Sequence, residues 1–183
     1  MHHLLGNVIR MALLGTLTAG VIGCTHMPKT ISVELSESLK EGGQYKPVTV
    51  HVIGVAQSEY EQWLSVTRSV DDYFKIGGES ENKLDSKEVL ALNSKRPSAL
   101  IGENDAKFWG EWGFFNNKKP SPAKYLFVLA DLRPAPPGTS ATFEPRRMII
   151  PLYDDRWKGL ARLDLVVDSR AGIHLKNGPQ GNR

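Results

Sequence analysis

Apolar and polar positions alternate along most of the chain after residue 30. Ile31, Val33 and Leu35 are separated by Ser32 and Glu34, the period of a half-buried strand. Pro47 opens VTVHVIGV, where Val48, Val50 and Val52 share one face and His51 and Ile53 the other, which predicts a second strand. Glu41-Gly42-Gly43-Gln44 between them reads as a turn. AKYLFVLADL, residues 123 to 132, is apolar on both faces, as expected of a central strand covered on two sides. Met148, Ile150 and Leu152 alternate, as do Leu163, Leu165 and Val167 within RLDLVVD, and GIHL forms a short final strand. Residues 96 to 102 read as a strand that Pro97 confines to an edge.

The period changes after the second of these strands. Ser58 with Glu61 has capping-box spacing, and Tyr60, Trp63 and Leu64 follow at i, i+3, i+4, predicting a short helix. VDDYFKI continues it or forms a short strand, up to Gly77-Gly78. Residues 79 to 88 read as a polar loop, and Asp85 with Glu88 are spaced to cap a short helix carrying Val89, Leu90 and Leu92. RPAPPGTS is a rigid proline-rich connection. Regular strand–helix alternation is missing, so a parallel sheet is not expected. The predicted class is mainly β: an antiparallel β-sandwich with one or two short inserted helices, over residues 31–175. Residues 176–183 are expected to be a disordered tail.

Residues 1–23 differ from all of this. Arg10 and two histidines precede an uncharged stretch from Met11 to Gly23, within the roughly 7–15 residues of a secretory h-region and short of the roughly 18 needed to span a bilayer. The stretch ends in Val21-Ile22-Gly23-Cys24, and Cys24 is the only cysteine of the chain. This run resembles the bacterial lipobox. The resemblance implies cleavage after Gly23 and lipidation of Cys24, with residues 24–30 as a tether. A plain secretory signal with a cysteine at its end is the alternative. Each buried methylene contributes about 0.8 kcal/mol, so several acyl chains on one residue hold a domain firmly at a membrane. Thr25 follows where an Asp commonly retains Gram-negative lipoproteins at the inner membrane, which points to the outer membrane.

Charge and chemistry then narrow the function. The formal charge of the 183 residues is +3, and the basic residues are dispersed among acidic ones. Nucleic-acid binding needs a basic cluster, so no nucleic-acid partner is expected. One cysteine excludes an internal disulfide framework. Nucleophile, P-loop, dinucleotide and zinc-protease motifs are missing. His51 and His174 read as pleat or surface residues rather than metal ligands, and neither Asp71-Asp72 nor Asp154-Asp155 is spaced for an acid/base dyad. No metal, cofactor or catalytic residue is expected, and the chain reads as a non-enzyme. One segment stands out: Phe108, Trp109, Trp112, Phe114 and Phe115 lie within eight residues, with Gly110 and Gly113 interleaved. Either they plug one end of the core, or Phe108, Trp109 and Trp112 form a partner-binding surface.

Taken together, the Gly-Cys junction, ISVELSES, the glycine turn, KPVTVHVIGV, SEYEQWLS, DDYF and YLFVLADLRP resemble the type VI secretion lipoprotein family called TssJ or SciN, over about half of residues 24–183. The usual Tyr-Gln-Leu after the second strand is missing here. The resemblance implies a transthyretin-like sandwich, lipid-anchored at the outer membrane, that holds the periplasmic domain of an inner-membrane secretion protein. It also implies contact through the loop between the first two strands, here Lys40, Glu41, Gly42, Gly43, Gln44, Tyr45 and Lys46. A lipoprotein that binds a small ligand or glycan through the aromatic segment is the competing expectation, and an envelope enzyme is the third.

Overall fold

The computed structural model describes residues 28, 30–75, 87–102, 105, 123–140, 142–152 and 161–176. Ten strands follow one another among the described residues: β1 (Thr30–Leu35), β2 (Lys40–Glu41), β3 (Gln44–Tyr45), β4 (Val48–Ala56), β5 (Lys87–Leu92), β6 (Ser98–Ile101), β7 (Ala123–Ala130), β8 (Arg147–Pro151), β9 (Arg162–Asp168) and β10 (Gly172–Leu175). Eight of them build two sheets, in the orders β10-β9-β1-β6 and β5-β4-β7-β8. All pairings in both sheets are antiparallel except β1 with β9, which run parallel. The chain is a mainly antiparallel β-sandwich.

The alternation seen in the sequence is the packing. Ile31, Val33 and Leu35 of β1, with Leu163, Leu165 and Val167 of β9, face Val48, Val50 and Val52 of β4 and Leu126 and Val128 of β7. All are 5% exposed or less. Burying each such side chain stabilises the fold by about 1.5–3 kcal/mol. β7 is central, between β4 and β8, and its second apolar face also has a purpose. Phe127 and Leu129 join Ile53 and Val55 on the outer face of that sheet, under Trp63, Val70, Tyr73 and Phe74. The last four come from two short helices and the turn after them, α1 (Tyr60–Val66) and α2 (Val70–Tyr73). A strand apolar on both faces is thus covered by a sheet on one side and helices on the other.

Two sequence expectations are corrected. Glu88, Val89, Leu90 and Leu92 are not helical: Lys87–Leu92 is a strand paired along β4, and Asp85 with the rest of the expected polar loop before Lys87 lies outside the described residues. Leu90 and Leu92 point into the core at period two while Val89 and Ala91 do not, so the strand pattern prevails where β4 offers a backbone ladder. Nor do Ser58 and Glu61 cap α1. The chain leaves β4 through a 3-10 turn at Gln57–Glu59, and Glu59 Oε2 accepts the Ala56 N–H at 3.2 Å, so the capping pair stands two residues earlier than expected. VDDY is helical, with Ser69 Oγ accepting the Asp72 N–H at 3.2 Å. The edge position expected from Pro97 holds: β6 is the outermost strand of its sheet.

Candidate interaction surface

The segment Lys40–Lys46 is a two-strand hairpin rather than a bare turn. Lys40 pairs with Tyr45 and Glu41 with Gln44. Gly42 and Gly43 occupy the two turn positions at φ 59° and 81°, the left-handed conformations that a two-residue hairpin of matching twist requires. A Cβ at either glycine meets nothing within 4 Å, so the constraint is conformational and not one of space.

Three sets of contacts hold this hairpin to the sandwich. Its base is closed by Lys46 N–H donating to Leu39 O at 3.0 Å, and Leu39 is buried in the core. Ser94 Oγ, in the turn between β5 and β6, accepts the Tyr45 N–H at 2.7 Å and donates to Tyr45 O at 3.3 Å. Glu37 gathers the side chains: its Oε1 accepts from the Tyr45 hydroxyl at 2.7 Å and its Oε2 lies 2.8 Å from Lys40 Nζ. Lys40 Nζ also stands 4.7 Å from the centre of the Tyr45 ring, a cation–π contact. The hydrogen bonds from Lys40 and Tyr45 hold the Glu37 carboxyl below the usual carboxylate range, while Glu37 raises both partners. Lys46 Nζ pairs with Glu41 Oε2 at 2.9 Å, so each of the hairpin's charges has a partner within it or in the 3-10 turn before it.

Behind the hairpin lies a brace that the sequence reading missed. Asp168, at the end of β9, accepts from Ser36 Oγ at 2.8 Å and Ser38 Oγ at 2.7 Å through Oδ2. Its Oδ1 accepts from the Arg170 and Ala171 amides, both at 2.8 Å. Burial alone would raise the Asp168 carboxyl, but these donors outweigh it and hold it far below the usual range. The 3-10 turn leading into the hairpin is therefore tied to the β9–β10 turn. Ser36-x-Ser38 after a strand was the available signal, since hydroxyls at such ends seek a partner.

The opposite, helical side holds polar groups of another kind. His51 is 2% exposed, shares a 2.9 Å hydrogen bond with the Tyr73 hydroxyl, and packs against the Phe74 ring. Burial and the Lys87 charge bring its pKa down to about 4, so it is neutral near pH 7. Arg146, with a side chain 1% exposed, joins Glu144 by two hydrogen bonds at 2.9 and 2.8 Å and Asp71 by two at 2.7 and 3.1 Å. Asp71 is thereby occupied as a structural partner, and Asp72 pairs with Lys75. Among the described residues, no three His, Cys, Asp or Glu side chains converge to hold a metal ion.

Of the candidate residues, the hairpin is placed as above. Cys24, Phe108, Trp109, Trp112 and Asp154-Asp155 lie outside the described residues.

No family model matches the chain, and no curated protein matches it in sequence. Solved structures similar to it include Serratia marcescens Lip, described as a membrane-bound component of the type VI secretion system. The two share 12% identity over 84% of this chain and 99% of that one, with a TM-score of 0.43. The type VI secretion lipoprotein TssJ1 from Pseudomonas aeruginosa matches at 14% identity over 82% and 96% of the two chains, TM-score 0.39. A structure described as the type VI secretion protein TssM C-terminal domain from EAEC matches at 12% identity over 80% and 98%, TM-score 0.47.

Proposed function

We propose that the chain is a lipid-anchored envelope lipoprotein, a non-enzymatic interaction subunit of a type VI secretion membrane complex that holds the periplasmic domain of an inner-membrane protein. The carrying observation is the position of Val21-Ile22-Gly23-Cys24 directly ahead of the sandwich: β1 begins at Thr30, six residues after the cysteine. Six residues reach at most about 20 Å. An acylated Cys24 would therefore keep the β-sandwich within about 20 Å of the lipid surface, a spacing suited to a body that anchors something else. Thr25 in place of Asp supports the outer membrane as that surface.

In this role the hairpin Lys40–Lys46 is the contact element. It is exposed and charge-paired, its Gly-Gly tip lets another backbone approach closely, and it is preorganised through Glu37, Ser94 and Asp168, which lowers the entropic cost of binding. Fractionation and affinity capture from envelopes test the proposal. Wild type is expected in the outer-membrane fraction with an inner-membrane partner. Cys24→Ser is expected to be released from membranes, and Gly42→Val with Gly43→Val to stay anchored but lose the partner. Equal membrane association of wild type and Cys24→Ser would overturn the anchor; undiminished capture by the hairpin variant would overturn the contact element.

A further inference from the structure

Among the described residues the two sheets have four edges, and three of them are blunted. On β10 the Ile173 N–H already donates to Pro145 O at 2.8 Å. β8 ends in Pro151, which has no N–H to offer, and β5 opens with Lys87 and Glu88, charges that discourage pairing. β6 is different. Leu35 N–H donates inward to Pro97 O at 2.9 Å, and Val33–Ala99 and Ile31–Ile101 continue that inward ladder. Strand alternation then turns the N–H and C=O groups of Ser98 and Leu100 away from β1, where they have no partner among the described residues. Ala99 and Ile101 fill the core at 6% and 2% exposure, whereas the Leu100 side chain is 60% exposed.

The approach to this edge carries charge. Asn93 Oδ1 accepts the Lys95 and Arg96 amides at 2.8 and 3.2 Å, which fixes the β5–β6 turn. Lys95 and Arg96 are exposed and form no ion pair among the described residues, in contrast to Lys40, Lys46, Arg133 and Lys176, each paired with a carboxylate. The same turn holds the hairpin through Ser94.

We infer that the β6 edge is a strand-addition site for an extended acidic segment of a partner protein. Such a segment runs antiparallel to β6, closes hydrogen bonds with Ser98 and Leu100, covers Leu100 with an apolar side chain, and sets carboxylates against Lys95 and Arg96 at its C-terminal end. The inference rests on the interaction role proposed above only in needing a protein partner. It is read in solution, apart from the membrane and the hairpin.

The probe is the peptide acetyl-Thr-Val-Thr-Val-Thr-Glu-Glu-amide, with a version ending in Lys-Lys as the charge control. Amide hydrogen exchange and titration by NMR follow binding to the purified full chain. In the free protein the Ser98 and Leu100 amides are expected to exchange fast and those of Ala99 and Ile101 slowly. The acidic peptide is expected to protect Ser98 and Leu100, and the Lys-Lys peptide to bind at least tenfold more weakly. Lys95→Glu with Arg96→Glu should weaken the acidic peptide by roughly tenfold. Leu100→Pro removes only an outward N–H and should abolish protection at Ser98, while Leu100→Ala should stay within about threefold of wild type. Unchanged exchange at Ser98 and Leu100 with the acidic peptide would overturn the inference, as would equal binding of the two peptides. Protection that grows with protein concentration in the absence of peptide would also overturn it, by assigning the edge to a second copy. Loss of partner capture in the Gly42/Gly43 variant, with peptide binding intact, separates this site from the hairpin.

Discussion

Arg146 offers the sharpest test of how the helical side is held on the sandwich. The guanidinium is almost fully buried and makes four hydrogen bonds to two carboxylates, Glu144 at 3% side-chain exposure and Asp71 at 58%. Glu144 Oε2 also accepts the first N–H of α2, from Val70, at 3.3 Å, so the network pins α2 to the segment that leads into β8. Arg146→Met keeps much of the volume but strands the Glu144 carboxylate, a loss of about 3–5 kcal/mol. Asp71→Asn leaves Glu144 paired and removes a mostly exposed partner, for about 1 kcal/mol or less. Burial would raise the Glu144 carboxyl, but hydrogen bonds from Arg146 and Val70 outweigh it and keep it lowered in the wild type. A lowered folded pKa gives stability that is present above the unfolded value, roughly pH 4–5, and is lost as pH falls. In Arg146→Met only burial and the Val70 amide remain, the carboxyl shifts upward, and protonation relieves the stranded charge. The gap between wild type and variant should therefore narrow from pH 7 to pH 4. Urea unfolding at several pH values measures it. A deficit below about 1 kcal/mol at pH 7, or one independent of pH, would refute a buried ion network as the clasp of this side.

Other positions carry equally direct expectations. Gly172 sits at φ 72°, and an added Cβ would lie 2.0 Å from Pro145 O, so Gly172→Ala should cost more than about 3 kcal/mol in urea unfolding or prevent folding. Asp168→Asn keeps the shape but weakens the acceptor for two serines and two amides; about 1–2 kcal/mol and faster exchange at the Arg170 and Ala171 amides are expected. His51 has a folded pKa of about 4, below its unfolded value, so it contributes stability that is full above roughly pH 6.5 and lost as pH falls toward 4. Its ring protons should titrate near pH 4 by NMR, and a midpoint above 6 would contradict the buried neutral ring.

Much of the sandwich was legible because period-two alternation is a direct image of one buried and one wet face. β1 follows it residue for residue and β9 for most of its length, while β4 and β7, each between two neighbours, are buried on both faces, which in β7 shows as a run apolar on both sides. β5 was misread because KEVLAL satisfies a helical spacing as well as a strand spacing, and only the free edge of β4 decides between them. The parallel pairing of β1 with β9 joins residues more than 130 positions apart, beyond the reach of any local pattern. The same distance hid part of the candidate surface. Gly42-Gly43 marks a turn locally, but Ser94 reaches the hairpin, and Asp168 the 3-10 turn before it, only through the fold. The charges of Lys95 and Arg96, which form no ion pair among the described residues, likewise become notable only once β6 is an edge.

Anchoring turns on what happens at Cys24, and intact-mass spectrometry of protein extracted from native membranes reads it directly. Residues 1–23 are expected to be gone, with the new N-terminal cysteine heavier by a diacylglyceryl group and an amide-linked acyl chain. A species beginning at Met1 with a free thiol would contradict an anchoring lipoprotein.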